Sequence, residues 1–269
     1  MKLKIALSAL LGTLVFAPIF YFVLLPVVIL TAAKFVPVSW EEQYGRSIVE
    51  GFAAPEDYCK DRRLMTVLDS VLKDLSDSIP NNPYHFHLKI VNDKIVNAFA
   101  LPGGIIIVFS GLLEETDSPD EFAGVLAHEI QHIVRHHSTR EILRQASTSF
   151  LVSSLTGHFG NDSTFSLRGV RMLETLHYDR KLEEEADREG MKLLVSAKYQ
   201  PEAMIRMFEK FEKGKSDRDP ILTFLSTHPA TENRIKNLKE LMNQLTAQPV
   251  IHSQDSLWNE ARLICQNSS

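Results

Sequence analysis

Residues 117–143 read DSPDEFAGVLAHEIQHIVRHHSTREIL, and the reading of this stretch decides the fold. It has the marks of a helix. Ser118 is placed as an N-cap, Pro119 suits the first helical position, and Glu121 completes an S-x-x-E capping box. No proline follows before residue 201. Phe122, Val125, Leu126, Ile130, Ile133 and Val134 point in several directions around the axis, so the helix is apolar nearly all round and belongs in a core. Inside it sit His128, Glu129 and His132, whose burial is costly unless something satisfies them. A metal ion would do so. Two histidines at i and i+4 project from one face, one turn apart, within reach of a single ion. Glu129 lies about 100° further round the helix, where it can take the proton of an attacking water without ligating the metal. His-Glu-x-x-His arises by chance in roughly 3 per cent of chains of this composition. The buried helix around it is what makes one zinc ion per chain the expected cofactor.

A catalytic zinc takes three protein ligands and keeps one open position. His136 continues the i+4 series, but on a continuous helix it stands about 12 Å along the axis from His128, too far to share an ion. A third His six residues after the second, with a Gly between, would be the metzincin solution. Those positions hold Ser138 and Arg135, so that class is excluded. His136 and His137 are then expected around the ligands or at the surface. The third ligand is sought in a second helix, expected over residues 168–198, with consecutive glutamates at 183, 184 and 185. On a helical projection Leu176, Glu183, Asp187, Gly190 and Leu194 share a narrow arc flanked by Leu173, Arg180 and Met191. Glu184 sits at the edge of that arc, and Glu185 points to solvent with Lys181, Arg188 and Lys192. Glu183 and Asp187 are thus carboxylates on an apolar stripe: one is expected to ligate, the other to orient a ligand or the neighbouring helix.

Four stretches together carry a resemblance: NAFALPGGIIIVFSGLL (97–113), HEIQH (128–132), DRKLEEEAD (179–187) and STHPATENRI (226–235). In that order and spacing the chain resembles the membrane-associated zinc metallopeptidases that include the CAAX prenyl endopeptidase and HtpX, within the gluzincin-type enzymes. The family pattern R-x-x-E-x-x-A-D is matched by Arg180, Glu183, Ala186 and Asp187, which makes Glu183 the implied third ligand. Asp179 stands where many members carry Ser. The resemblance implies a zincin-like α+β domain, mostly helical with a small antiparallel sheet. It implies endoproteolysis of membrane or misfolded extracytoplasmic proteins, and it brings Thr227-His228-Pro229 near the zinc. There His228 or Arg234 would contact the oxyanion or a ligand carboxylate, unless His228 is simply a helix cap.

The sheet is also legible from alternation. In YHFHLKIV (84–91), Tyr84, Phe86, Leu88 and Ile90 share one face while His85, His87 and Lys89 face solvent, the pattern of a half-buried strand. Asn92-Asp93 turns into KIVNAFAL, and Leu101-Pro102-Gly103-Gly104 turns again into IIIVFSGLL. Asn97, Ala98, Phe99 and Ala100 are the segment expected to bind a polypeptide substrate in extended form, by strand addition.

Residues 5–33 carry no charge. As a helix they would span about 44 Å, more than a hydrocarbon core of about 30 Å. A cleaved secretory signal is the alternative, with Thr31-Ala32-Ala33 resembling a cleavage site, but its apolar run is much shorter. Residues 1–34 are therefore expected to be an uncleaved anchor and 35–269 the metallopeptidase domain. Lys2 and Lys4 outweigh Lys34, which puts the catalytic domain on the extracytoplasmic side, periplasmic in a Gram-negative cell. A net charge of −5 without a basic cluster argues against nucleic acid as a partner. Residues 147–167 and 214–220 read as polar loops, the first over the cleft. Cys59 and Cys265 pair as a disulfide in an oxidising compartment or remain two buried thiols. The rival function is a membrane-tethered chaperone or assembly factor with slow cleavage. A third reading is a protease autoinhibited by His228, or by the 147–167 loop, in the open ligand position.

Overall fold

The computed structural model describes residues 14–16, 18–156, 178–213, 224, 227, 228, 232–245 and 255–265. The loop expected at 214–220, the part of the cleft loop beyond 156, the first ten residues of the second expected helix and Pro229 lie outside these. A helix over Leu14–Ala33 is long and apolar enough to cross a membrane. A π turn, Phe20–Leu24, precedes its last part, α1 (Leu25–Ala33). It stands just ahead of Pro26, whose missing N–H interrupts the regular ladder. Then come α2 (Val38–Phe52), β1 (Tyr58–Cys59) and α3 (Arg62–Asp77). Asp61 caps α3 by accepting from the N–H groups of Arg63 and Leu64.

The sheet continues with β2 (His87–Val91), β3 (Ala98–Leu101) and β4 (Ile105–Phe109) in the order β1-β2-β4-β3. Its character corrects the antiparallel expectation. β2 pairs with β4 in parallel, while the β1–β2 and β3–β4 pairs are antiparallel, so the sheet is mixed. The physical reason lies in the burial of β4, whose five residues are all buried. Ile106 and Val108 face the main core with α3, while Ile105, Ile107 and Phe109 face a second cluster with Ile48 of α2. Such a run needs cover on both faces and takes an inner slot, leaving β3 at the edge. The reversal between them is a 3-10 turn, Pro102–Gly104, in which Gly103 and Gly104 have φ of 78° and 92°. A Cβ on Gly103 would lie 2.3 Å from the backbone of Glu42, so only glycine lets α2 pack against this turn. β2 is shorter than the run 84–91, but His85, His87 and Lys89 are exposed and Leu88 and Ile90 buried, as the alternation requires.

After α4 (Ser110–Glu115) comes α5 (Pro119–Val134), of which every residue but the last is buried. Ser118 Oγ accepts from the Glu121 N–H at 3.3 Å, while the Glu121 carboxylate answers the N–H of Asp117 rather than that of Ser118. The single helix expected over 117–143 is in fact two. The chain breaks at His136 (φ 56°), and α6 (His137–Thr156) begins there, taking in the first part of the expected cleft loop. α7 (Arg180–Ser196) is capped by Asp179, which accepts from Lys181 and Leu182 N–H. It crosses α5 at Gly190, where an added Cβ would stand 3.2 Å from the Ala127 carbonyl and the His128 nitrogen. α8 (Pro201–Lys213), α9 (Glu232–Met242) and α10 (Asp255–Ala261) complete the described residues. Cys59 and Cys265 form a disulfide that ties the C-terminal segment to β1, and Trp258 donates to the Thr116 carbonyl at 3.1 Å.

Candidate metal centre

The crossing of α5 and α7 at Gly190 presses two helical backbones together and faces His128 and His132 against Glu183. The Nε2 atoms of the two histidines are 3.0 Å apart. Glu183 Oε1 lies 3.5 Å from His132 Nε2, and its Oε2 lies 3.6 Å from His128 Nε2. His228 joins them, its Nδ1 3.2 Å from His128 Nε2 and 3.1 Å from Glu183 Oε1. Among the described residues these four form a group able to hold a metal ion, their donor atoms all within 4.8 Å of one another. Each is at most 1% exposed.

The group fits zinc in donor chemistry. Two ligand nitrogens on a tetrahedral zinc with bonds of about 2.0–2.1 Å lie about 3.3 Å apart, close to the separation here. Burial holds the His132 ring well below the usual imidazole range, so it is neutral as a ligand must be. Burial would raise the Glu183 carboxyl, but His228 and Arg234 outweigh it and keep the group low and ionised. Neither oxygen of Glu129 has a full hydrogen bond among the described residues. The Ala100 backbone and His228 Nε2, the latter 3.4 Å from Oε1, are what the carboxylate faces. Burial raises its pKa above the usual carboxylate range, against the opposing pull of His228 and His128.

Around the donors, Asp187 Oδ1 stands 3.0 Å from His128 Nδ1, the ring nitrogen turned away from the cluster. Arg234 grips Asp187 with two hydrogen bonds of 2.6 and 2.7 Å and reaches Glu183 Oε2 at 2.8 Å. Burial opposes ionisation of Asp187, yet the guanidinium prevails and lowers its pKa to about 2. Glu183 thus lies among the four candidate donors, and Asp187 lies on the outer side of His128, tied to Arg234. Other expected residues are not brought in. Arg180 is exposed on the first turn of α7. His136 turns away, its Nδ1 3.2 Å from both Glu41 Oε1 and the Tyr84 hydroxyl. Glu185 is not simply solvated: it meets His137 Nε2 at 3.3 Å and Arg135 at 3.5 Å.

The candidate substrate strand, Asn97 to Ala100, forms the edge of the sheet beside α5. Asn97 C=O accepts from the Phe109 N–H, so by the alternation of an antiparallel pair the backbone groups of Ala98 and Ala100 face outward. They are engaged within the chain: Ala98 N–H donates to Asn97 Oδ1 at 2.8 Å, and Ser138 Oγ donates to Ala100 C=O at 2.7 Å. Tyr178 is a residue the sequence reading missed. Its ring stacks on His132 at 3.9 Å, and its hydroxyl meets Ser138 Oγ at 3.1 Å. Lying just before α7 with no periodic signal of its own, it is found only through the tertiary fold.

Similarity to known proteins follows the same residues. Residues 60–242 match the model for peptidase family M48. Mitochondrial metalloendopeptidase OMA1 of Schizosaccharomyces pombe is 34% identical over 158 residues, 58% of this chain and 46% of that protein. The beta-barrel assembly-enhancing protease of Escherichia coli is 31% identical over 195 residues, 68% of this chain and 39% of that protein. A protein of Vibrio cholerae described as a putative beta-barrel assembly-enhancing protease is 27% identical over 232 residues, 82% of this chain and 48% of that protein. The chain spans about half the length, or less, of these relatives. Since the matched span contains His128, Glu129, His132, Glu183 and His228 alike, the chain belongs to peptidase family M48.

Proposed function

We propose that this chain is a zinc-dependent endopeptidase, with His128, His132 and Glu183 as metal ligands and Glu129 as general base. The observation that carries the proposal is a buried group of metal donors with an ionisable, under-bonded carboxylate beside it. When bound, zinc would polarise a scissile carbonyl and acidify water. Glu129 would accept the proton of the attacking water and deliver it to the leaving amine. Asp187, held by Arg234, would orient His128. A polypeptide would lie extended along β3, displacing Ser138 from the Ala100 carbonyl.

Residues 1–34 are proposed as a membrane anchor and 35–269 as the peptidase domain, on the extracytoplasmic side. The apolar helix and the disulfide support this, since disulfides persist in oxidising compartments. The substrates proposed are membrane or misfolded extracytoplasmic proteins, in keeping with relatives described as a metalloendopeptidase and an assembly-enhancing protease. His228 favours one refinement. Its ring lies among the donors, so it would fill the fourth position of a resting, autoinhibited form.

Cleavage of unfolded casein by zinc-loaded protein tests both statements. Glu129→Gln should keep its zinc and lose about 10²–10⁴-fold in rate; full activity in that variant would sink the assignment. His228→Ala should raise the rate if the ring blocks the site. A fall in rate would instead assign His228 to stabilising the transition state.

A further inference from the structure

His137 lies at the chain break, and the break is what gives it a position. On a continuous helix, residue 137 would stand about 140° round and about 7.5 Å along from His132, out of contact. Because His136 takes a left-handed conformation (φ 56°), α6 restarts in a new direction and His137 folds back against α5. Its ring is fully buried, with Nδ1 3.1 Å from His132 Nδ1 and Nε2 3.3 Å from Glu185 Oε2. His132 Nδ1 is the ring nitrogen opposite the one facing the donor cluster. The turn itself is held by Glu41 of α2 and by Tyr84, both of which meet His136.

We propose that His137 and Glu185 form a two-residue relay that positions His132 as a metal ligand. The direction of each hydrogen bond follows from the acceptors. Glu185, a carboxylate, can only accept, so the single ring proton of neutral His137 sits on Nε2. That leaves the lone pair of His137 Nδ1 for the Nδ1–H of His132. His132 is then fixed as the tautomer whose Nε2 lone pair points at the donor cluster. His128 has its own orienting carboxylate in Asp187. His132 has no carboxylate within ion-pairing distance of its Nδ1 among the described residues, and His137 carries Glu185 to it at one remove. Tyr178, stacked on the His132 ring, holds its plane but offers Nδ1 no acceptor. In this role His137 is a positioning residue, acting through His132.

The inference rests on the zinc reading, and zinc affinity measured by chelator competition separates the two. If the wild-type chain binds no zinc, the reading fails and takes the relay with it. If it binds, His137→Leu, which keeps bulk without an acceptor, should weaken affinity about 10–100-fold. His137→Asn places an acceptor oxygen near the Nδ1 position and should restore most of the loss. Glu185→Ala alters a partly exposed side chain, so it should fold normally and still lose affinity at an unchanged melting temperature of the metal-free protein. Long-range proton–nitrogen NMR of the zinc-loaded wild type should put the His132 proton on Nδ1. Wild-type affinity in His137→Leu, or equal losses in the Leu and Asn variants, would overturn the relay. Should His137→Leu not fold, wild-type affinity in Glu185→Ala would overturn it alone.

Discussion

Arg234 and Asp187 form a buried, doubly hydrogen-bonded pair whose guanidinium also meets Glu183. Removing one partner strands the other charge away from water, a loss of about 3–5 kcal/mol. Arg234→Met should therefore lower thermal stability sharply and weaken zinc binding as well, because Asp187 and Glu183 would lose the group that aims them. A variant with wild-type melting and zinc affinity would show that the pair has no such role. The contrast with Arg135 is instructive. That side chain is more than a third exposed and meets Glu185 and Glu189 at 3.5 and 3.0 Å. Exposed pairs of this kind contribute about 0–1 kcal/mol, so Arg135→Ala is of little consequence for folding.

The crossing of α5 and α7 is the element-scale feature on which the centre depends. Gly190 brings the α7 backbone against Ala127 and His128, where an added Cβ would stand 3.2 Å from their backbone atoms, tighter than ordinary contact. Gly190→Ala would gain helix propensity, about 1 kcal/mol, but the atoms in its way are backbone of a fully buried helix. Overpacking of this sort costs about 1–3 kcal/mol. The helices should part by a few tenths of an ångström, carrying Glu183 away from His128 and His132. The expected outcome is a modest fall in melting temperature with a larger proportional fall in zinc affinity. Unchanged zinc affinity would mean that the donors do not depend on the closeness of this crossing.

At the scale of the whole molecule, two ties define what the domain can withstand. The disulfide joins β1 to the C-terminal segment, where Arg262 donates to the carbonyls of Glu114 and Thr116 just ahead of α5. The metal would be the second tie, joining α5 to α7 and to His228. Because a ligand that binds only the folded state stabilises it by mass action, zinc at 100 times its dissociation constant should add about 2.7 kcal/mol. A chelator should lower the melting temperature of the wild type. It should have a much smaller effect on a His128→Ala, His132→Ala double variant. Equal shifts in the two proteins would mean that the chelator acts elsewhere.

Much of this was written in local patterns. The capping residues Ser118 and Pro119 and the all-round apolarity of 122–134 define a buried helix without reference to any other part of the chain. The i, i+4 histidines follow from helical spacing, and Glu183 and Asp187 stand out because a carboxylate on an apolar stripe demands a partner. Local pattern did not determine how distant parts meet. The parallel pairing of β2 with β4 depends on which strand most needs cover on both faces, a comparison between strands rather than a property of one. The break at His136 depends on Glu41 and Tyr84, distant in the chain, holding a backbone conformation that a histidine takes up at some cost. His137 reaches the centre because of that break, Tyr178 because it lies just ahead of α7, and His228 because the segment between α8 and α9 brings its ring against His128 and Glu183. Sequence therefore singled out the candidate donors carried on helices by their spacing and apolar surroundings, and tertiary structure decided what surrounds them, because second partners are recruited across the fold where no periodicity records them.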